Sequence, residues 1–216
     1  MKDYASTPGA PDARSWEYAD DYAPLPDIIS EARDEAILAG VRPISLGVAA
    51  TLRVLARLMQ ANAVIEIGTA MGASGLAFLS GMADGVLTSI DAEPEPQLIA
   101  KQCFAKAGYS ANQYRLIAGN PLGVLPKLRD GAYDIVFING DKVEYGEYVA
   151  EASRLLRPGG LLAMHDCLWF GEVAEAAPES DEAIIIGEAL AAITEAKAYE
   201  QALLPVGNGL LVAVKN

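Results

Sequence analysis

The fold of this chain is decided by the stretch Val64-Ile65-Glu66-Ile67-Gly68-Thr69-Ala70-Met71-Gly72-Ala73-Ser74-Gly75. Its first residues form a short apolar run, which is typical of a buried strand, and the glycines that follow are typical of a tight turn into a helix. Glycine allows the backbone to approach a ligand closely. The stretch therefore predicts a strand, a turn and a helix with a ligand at the turn; a turn that merely packs the helix on the strand is the alternative.

Further short apolar runs follow at intervals that leave room for a helix between them. The predicted parallel strands are residues 63–67, 86–91, 113–118, 134–139 and 160–165. Alternation of this kind predicts right-handed crossovers and a parallel sheet with helices on both faces. Residues 198–204 and 210–214 flank an Asn208-Gly209 dipeptide of the hairpin type, which predicts an antiparallel pair at the end of the chain. The expected fold class is α/β, Rossmann-like, with a mostly parallel seven-stranded sheet and an antiparallel C-terminal hairpin.

The sequence before the first strand divides at about residue 24. Residues 1–24 are rich in Pro, Gly, Asp and Ser and predict a flexible N-terminal arm, whereas residues 25–216 predict one domain. Trp16, Tyr18 and Tyr22 in the arm need a surface to cover, which a partner subunit could provide. Helical patterns begin at Pro26-Asp27 and at the N-cap Ser45.

Composition excludes several classes of function. The chain has 16 Lys and Arg against 29 Asp and Glu, and this net charge of −13 disfavours nucleic acid or an anionic membrane as the main partner. No apolar run is long enough to span a membrane, and residues 1–4 lack the apolar core of a signal peptide, so we expect a cytoplasmic protein. The two cysteines have neither disulfide nor zinc-ligand spacing.

The residues around the turn favour one class of ligand over another. A dinucleotide-binding fingerprint requires glycine at position 70, where this chain has Ala70, and Glu66 is a poor neighbour for a pyrophosphate. An acid at this place suits a cationic ligand. S-adenosylmethionine carries a sulfonium and an ammonium group and no phosphate, so the turn predicts that methyl donor.

Two further residues fall at the ends of predicted strands. Asp91 ends the second strand, where an acid can accept hydrogen bonds from both ribose hydroxyls of an adenosine. Asn120 follows the third strand and either reads the adenine edge or caps the helix that begins at Pro121. The carboxyl ends of adjacent parallel strands meet at one crevice, so we expect these residues to lie near Glu66 and the glycines.

The second half of the chain resembles the caffeoyl-coenzyme A and catechol O-methyltransferase family. The shared features, in order, are Asp141-Lys142, Tyr145, Tyr148, Leu155-Leu156-Arg157-Pro158-Gly159-Gly160, Asp166 and Leu168-Trp169-Phe170-Gly171-Glu172-Val173. The similarity extends from about residue 44 to the C-terminus and leaves out the arm. The resemblance implies a methyltransferase fold, S-adenosyl-L-methionine as methyl donor, a phenol or catechol as acceptor, and a homodimer.

The resemblance also implies roles for individual residues. The donor site would consist of Glu66, Gly68, Gly72, Ser74, Asp91 and Asn120, and we expect Thr69 and Asn139 to contribute as well. Lys142 matches the general base for the acceptor hydroxyl, and Asp166 completes the predicted catalytic pair. Trp169 and Phe170 either form a wall of the acceptor pocket or anchor a loop. His165, the only histidine, is expected to be a packed residue because it precedes Asp166 on a strand whose successive side chains face opposite ways.

Two departures from the family affect the metal site. The first aspartate of the family's metal triad is Asn139 here, and the asparagine of that triad is Cys167, which leaves Asp166 alone. Magnesium prefers hard oxygen ligands, and a thiol does not replace one. We therefore expect the divalent metal site to be lost or much weakened.

The sequence leaves three hypotheses about function. The leading hypothesis is an S-adenosylmethionine-dependent O-methyltransferase acting on a small-molecule hydroxyl. The second is a protein that binds the donor or its demethylated product without catalysis, and Lys142 discriminates between the two because a base is useful only where a hydroxyl is deprotonated. The third, a nicotinamide oxidoreductase, is disfavoured by Ala70 and Glu66.

Overall fold

Seven strands form the centre of the structure, a computed structural model that describes residues 12–216. The strands are β1 (Ala63–Ile67), β2 (Val86–Asp91), β3 (Tyr114–Ala118), β4 (Tyr133–Ile138), β5 (Leu156–His165), β6 (Tyr199–Leu204) and β7 (Leu210–Lys215). They form one sheet in the order β3-β2-β1-β4-β5-β7-β6. The first five strands are parallel, and β7 pairs antiparallel with both β5 and β6. The predicted fold class and all seven predicted strands are confirmed.

Eight helices flank the sheet in the described part of the chain. They are α1 (Ala13–Asp20), α2 (Asp27–Leu38), α3 (Leu46–Leu58), α4 (Ala73–Gly81), α5 (Pro94–Lys106), α6 (Pro121–Val124), α7 (Tyr145–Leu155) and α8 (Asp181–Ala196). Short 3₁₀ segments lie at Leu125–Lys127, Lys142–Glu144 and Trp169–Ala174. The predicted N-cap of α3 is confirmed, because the Ser45 side chain accepts a hydrogen bond from Val48 N.

The core is divided between the two faces of the sheet by the alternation of strand side chains. On β1, Val64 faces a cluster that includes Leu52 of α3 and Phe104 of α5, whereas Ile65 faces a second cluster that includes Tyr148 of α7. Successive strand residues point to opposite faces, so a central strand with helices on both sides is apolar at nearly every position. Helices therefore cover both faces of the sheet, and the carboxyl ends of its parallel strands stay open for a site.

The C-terminal hairpin has a different turn from the predicted one. Gly209 N donates to Val206 O, so Gly207 and Asn208 are the central residues of the turn, and Gly207 has a φ of +56°. The Asn208 side chain is thereby placed over the loop after β5, where its Oδ1 accepts from Phe170 N. The Asn-Gly dipeptide correctly predicted a hairpin but not its register.

The N-terminal segment differs in part from the expected flexible arm. Residues 13–20 form helix α1 with Asp12 as its N-cap. Asp20 at its end accepts hydrogen bonds from Ser45 Oγ (2.6 Å) and Gly47 N (3.1 Å), because a carboxylate is stabilised at the N-terminus of a helix such as α3. Residues 1–11 lie outside the described residues, so the flexibility expected for them stays a prediction. The expected cytoplasmic location, which depends in part on residues 1–4, also stays a prediction. None of the described helices is long and apolar enough to cross a membrane.

Candidate functional site

A cavity of about 580 Å³ opens at the carboxyl ends of the five parallel strands. This is the edge at which open α/β sheets bind ligands, and the volume lies in the range of small-molecule sites. The cavity is lined by residues from eight separate segments of the chain: Val41, Arg42, Gly68, Ala70, Asp91, Ala92, Glu93, Asn120, Pro121, Asn139, Gly140, Asp141, Lys142, Glu144, Tyr148, Asp166 and Trp169. Six of the ten predicted site residues, namely Gly68, Asp91, Asn120, Asn139, Lys142 and Asp166, are brought together here.

The glycine turn lies against the end of β4. Gly68 has a φ of +95°, and a Cβ atom added there would lie 2.3 Å from the backbone oxygen of Asn139. Only glycine fits at this position, since both the conformation and the space exclude a side chain. The close approach places the turn and the end of β4 side by side on the cavity wall.

Gly72, in contrast, is explained by packing. It is the N-cap of α4 with a φ of +91°, and an added Cβ would lie 2.8 Å from the Phe104 ring and 2.9 Å from Ala100 Cβ, both on α5. Gly72 does not line the cavity. Gly72 thus serves the packing of α4 on α5, as the alternative interpretation expects, and its role in the donor site stays a prediction.

Glu66 lies beneath the turn and not beside the ligand site as expected. Its side chain is fully buried and accepts a hydrogen bond from Ser89 Oγ. Thr69 Oγ1 lies 2.6 Å from the same Ser89 Oγ and accepts from Gln97 Nε2 (2.9 Å), so the Thr69 side chain also points inward. Ser74 is buried next to Glu66 as well. Three predicted donor-site side chains thus form a polar network that supports the turn from below.

The buried position changes the acidity of Glu66. Burial raises the pKa of Glu66 to about 7, although hydrogen bonds from Ser74 and Ser89 act in the opposite direction. Oε1 has no hydrogen-bond partner within the described residues. A carboxyl group without full compensation in the protein interior favours its neutral form, which explains the direction of the shift.

Asp91 and Asn120 reach the cavity from β2 and β3. The Asp91 carboxylate accepts hydrogen bonds from Ala70 N and Glu93 N, both at 2.9 Å, so it is tied to the turn. Asn120 Oδ1 accepts from Leu122 N (2.8 Å) and caps α6. The capping interpretation of Asn120 is confirmed, and because Asn120 also lines the cavity, its contact with the adenine edge stays a prediction.

Lys142 and Asp166 form an ion pair at the other end of the cavity. Lys142 Nζ lies 3.1 Å from Asp166 Oδ2 and donates to Gly140 O at the same distance. Only 13% of the Lys142 side chain is exposed. Burial lowers the pKa of Lys142 below its ordinary value, and the negative charge of Asp166 opposes this effect without cancelling it. A buried lysine with a lowered pKa is suited to general-base chemistry.

Asp166 is the first residue after β5, and its backbone is not in the extended conformation of a strand. Asp166 has a φ of +60°, an uncommon conformation for a residue other than glycine. Its carboxylate accepts from Arg42 (2.8 Å), from Lys142, and from Asn208 Nδ2 (3.1 Å). Burial raises the pKa of Asp166, but the basic side chains around it lower it more, so the pKa lies below its ordinary value. Asp166 is thus a carboxylate held by three donors.

The buried His165 pairs with Asn139, a residue of the cavity wall. His165 Nδ1 lies 3.0 Å from Asn139 Oδ1, and burial lowers the pKa of His165 to about 4, so the ring is neutral at pH 7. His165 Nδ1 also lies 3.6 Å from Asp166 Oδ1. The expectation that strand alternation would separate these neighbours is wrong, because the positive φ of Asp166 turns its carboxylate back. The packed interpretation of His165 agrees with its burial.

Cys167 lies on the other side of the strand end. Its thiol is buried and donates to Met164 O (3.0 Å), and burial raises the pKa of Cys167 to about 12. The sulfur belongs to the core cluster that contains α7 and α8. Cys167 does not line the cavity.

Two residues that bind Asp166 are not predicted as site residues by the sequence. Arg42 lies between α2 and α3 and belongs to none of the motifs, and the Asn208-Gly209 dipeptide predicts only a hairpin turn. The Arg42 guanidinium carbon lies 5.4 Å from the centre of the Trp169 ring and 4.5 Å from that of Phe170. Trp169 lines the cavity, whereas Phe170 is exposed and covers the outer side of Arg42.

Comparisons with known proteins identify relatives of this chain. A protein of Mycobacterium sp. (strain JLS) that is provisionally named an O-methyltransferase is 45% identical over 190 residues, which cover 88% of this chain and 86% of the relative. A solved Corynebacterium glutamicum protein has a TM-score of 0.85 at 30% identity and covers 92% of this chain and 94% of its own.

More distant structures share the fold. The O-methyltransferase TomG of Streptomyces achromogenes, involved in tomaymycin synthesis and solved with S-adenosylmethionine, has a TM-score of 0.85 at 22% identity and covers 95% of this chain and 99% of its own. The O-methyltransferase family model matches residues 23–216. This chain belongs to the O-methyltransferase family.

Proposed function

We propose that this chain transfers the methyl group of S-adenosylmethionine to a hydroxyl oxygen of a small molecule such as a phenol or catechol. The observation that carries the proposal is the joining of two sites in one cavity, with Gly68 and Asp91 at one end and the Lys142–Asp166 ion pair at the other. The first site suits an adenosyl ligand, and the second suits a hydroxyl that loses its proton. Family membership and the donor-bound fold relatives point the same way.

The charge of the cavity supports a cationic donor. Five carboxylates line it against two basic side chains: Asp91, Glu93, Asp141, Glu144 and Asp166 against Arg42 and Lys142. A wall with excess negative charge attracts a sulfonium and an ammonium group and repels the phosphates of a nicotinamide dinucleotide. S-adenosylmethionine supplies a methyl group bound to a positively charged sulfur.

The donor-site residues divide into two groups. Asp91 would accept hydrogen bonds from the ribose hydroxyls, and Asn120 and Asn139 would contribute polar contacts at the cavity wall. Glu66 and its hydrogen-bonded neighbours would hold the turn in shape from below. The contribution proposed for Glu66 is thus indirect.

Lys142 would act as the general base. In its neutral form Nζ takes the proton of the acceptor hydroxyl while the acceptor oxygen forms a bond to the methyl carbon and the carbon–sulfur bond breaks. The lowered pKa of Lys142 raises the neutral fraction at a given pH. A base at this place also favours catalysis over the alternative of a protein that only binds the donor.

The proposed reaction does not use a divalent metal. Asp166 Oδ2 already accepts from two basic side chains, and Asn139 Oδ1 is paired with His165 Nδ1. The Cys167 sulfur faces the core. The described residues contain no group of three His, Cys, Asp or Glu side chains arranged for a metal. These residues do not fit the oxygen-rich octahedral set that magnesium prefers.

We also propose a homodimer. Tyr18 and Tyr22 are 70% and 72% exposed, and Trp16 is 47% exposed on helix α1, which buries none of its own residues. Exposed aromatic residues at such density favour a protein surface as their cover.

Isothermal titration calorimetry tests the donor assignment. We expect S-adenosylmethionine and its demethylated product S-adenosylhomocysteine to bind with micromolar affinity and NAD to give no heat of binding. Binding of NAD in preference to S-adenosylmethionine would instead support the oxidoreductase hypothesis.

A further inference from the structure

We propose that Arg42 is a further catalytic residue, whose guanidinium group binds the acceptor oxyanion at the place where related enzymes would use a metal ion. The inference rests on the proposed function, because it concerns the acceptor end of the same cavity. It also narrows the acceptor to a flat aromatic ring with one hydroxyl or two adjacent ones.

The position of Arg42 is set by the same carboxylate that holds the base. Arg42 lies 2.8 Å from Asp166 Oδ2, and Lys142 Nζ lies 3.1 Å from that same oxygen. Two basic side chains that share one carboxylate oxygen are necessarily close to each other. An acceptor oxygen that binds between the two basic groups would therefore contact both.

The acceptor end differs in charge from the rest of the cavity, because this cluster of three side chains is net positive while Lys142 is protonated. Arg42 and Lys142 contribute two positive charges and Asp166 one negative charge, so the three side chains sum to +1 while Lys142 is protonated. When Lys142 is neutral and acts as a base, Arg42 alone compensates Asp166, and it becomes the closest fixed cation for the acceptor. Arginine keeps its charge at every relevant pH, whereas lysine does not.

The guanidinium group has donors to spare. In the described part of the chain its one hydrogen bond goes to Asp166, and a guanidinium carries five N–H groups in a planar fork. With 43% of its side chain exposed, Arg42 is open to the cavity that it lines. A planar fork matches two oxygens in one plane, as in a catechol.

Aromatic rings hold Arg42 in place and shape the opening beside it. The guanidinium carbon lies 4.5 Å from the Phe170 ring centre and 5.4 Å from that of Trp169, within the range of cation–π contacts. Trp169 and Phe170 have φ angles of +40° and +56°, which cost energy for residues with side chains. Such strain is concentrated at functional sites, where surrounding contacts maintain it. Here Asn208 maintains it, since it binds both Asp166 and Phe170 N.

Arg42 also accounts for the poor fit of a metal. A cation that approached Asp166 from the cavity would have to displace the Arg42 and Lys142 contacts and would find no second carboxylate at Asn139. A fixed guanidinium at the same carboxylate stabilises negative charge on the acceptor oxygen without a bound ion. Preorganised donors of this kind are a main source of rate enhancement where charge develops.

A spectroscopic titration tests the role of Arg42 without a known substrate. The probe is 4-nitrocatechol, whose ionised form absorbs at longer wavelength, added to protein saturated with S-adenosylhomocysteine. In the wild type the bound probe should ionise at lower pH than the free probe. Arg42→Gln should raise the apparent pKa of the bound probe by about one to three units relative to wild type, the usual effect of one nearby opposite charge. Arg42→Lys should restore part of the difference.

Arg129→Gln is the matched control, because Arg129 is exposed and precedes β4 at the amino end of the sheet, away from the cavity. It changes the net charge equally and should leave the titration unchanged. Where a methyl acceptor is found, Arg42→Gln should also lower kcat by about 10²- to 10³-fold.

The outcomes separate this inference from the proposed function. If S-adenosylhomocysteine binds and Arg42→Gln titrates the probe like the wild type, the role of Arg42 is wrong and the donor site stands. A wild-type protein that leaves the probe spectrum unchanged overturns the role as well. If S-adenosylhomocysteine does not bind to the wild type, the proposed function itself fails.

Discussion

Lys142 Nζ lies 3.1 Å from Asp166 Oδ2, with 13% and 4% of the two side chains exposed. The two residues reach each other from the ends of β4 and β5, which are neighbours in the sheet. Burial lowers the pKa of the lysine, and the carboxylate keeps it oriented toward the cavity. This pair is where we place the proton transfer of the reaction.

Replacing Lys142 by Met should remove the base and leave the donor site intact. We expect kcat to fall by about 10²- to 10⁴-fold, the usual contribution of a positioned base, with little change in the affinity for S-adenosylhomocysteine. Steady-state kinetics and calorimetry measure the two quantities. Lys127→Met is the control, since Lys127 is exposed and lies before the amino end of β4. Undiminished turnover in Lys142→Met would show that another group takes the proton.

The pH dependence of the wild-type rate follows from the same lysine. Because the neutral amine is the active form, kcat should rise with pH as Lys142 loses its proton. The rise should level off below pH 10.5, the ordinary value for lysine, because burial lowers the pKa of Lys142. A rate that falls across this range contradicts the role of Lys142 as base.

Replacing Asp91 by Ala should weaken donor binding. The carboxylate is expected to accept hydrogen bonds from the ribose hydroxyls, and its loss leaves them poorly paired at a cost of about 1–3 kcal/mol. Calorimetry with S-adenosylmethionine measures this difference. Asp130→Ala is the matched control, because Asp130 is exposed and precedes β4 at the amino end of the sheet, away from the cavity. Equal affinity in Asp91→Ala and the wild type would mean that the ribose lies elsewhere.

Replacing Glu66 by Gln should alter the pH dependence of the unfolding free energy and have a smaller effect on the affinity for the donor. The folded-state pKa of Glu66 is about 7 against an ordinary value of 4.5, so its contribution to stability is complete below pH 4.5 and is lost as pH rises through 7. The shift corresponds to about 3 kcal/mol. Glutamine has no charge to lose, so the variant should gain stability relative to wild type between pH 5 and pH 8.

Chemical denaturation at several pH values measures this difference, with the unfolding free energy of both proteins fitted in the same buffers. A constant difference between the two proteins from pH 5 to pH 8 would show that Glu66 ionises normally. A loss of donor affinity in Glu66→Gln larger than that of Asp91→Ala would contradict the indirect and secondary contribution proposed for Glu66.

The strands and the crevice were predictable from sequence because they depend on local patterns. Apolar runs define β1 and β2 to the residue, and Asp91 lies at the crevice simply because β2 ends there. The side-chain direction of Glu66 was not predictable, since it depends on Ser89 of the neighbouring strand. Arg42 was missed for a similar reason, because its partner Asp166 is 124 residues away in the chain.

Removing residues 1–24 should weaken the proposed homodimer. The truncation deletes helix α1 with its exposed aromatic residues, and it also removes the Asp20 contacts to Ser45 and Gly47. Sedimentation velocity should show a dimer for the full chain at tens of micromolar protein and a shift toward monomer for the truncated chain. A full-length chain that sediments as a monomer contradicts the homodimer.

Methyl transfer in the presence of a chelator tests the central claim most directly. Donor consumption and methylated product are measured against a panel of catechols, phenols and hydroxamates, with EDTA in one series and added Mg²⁺ in the other. We predict slow product formation at the same rate in both series, because Lys142 and Arg42 replace what a metal would do at Asp166. Activity that EDTA abolishes and Mg²⁺ restores would contradict the account and show that these residues rebuild a metal site when the acceptor binds.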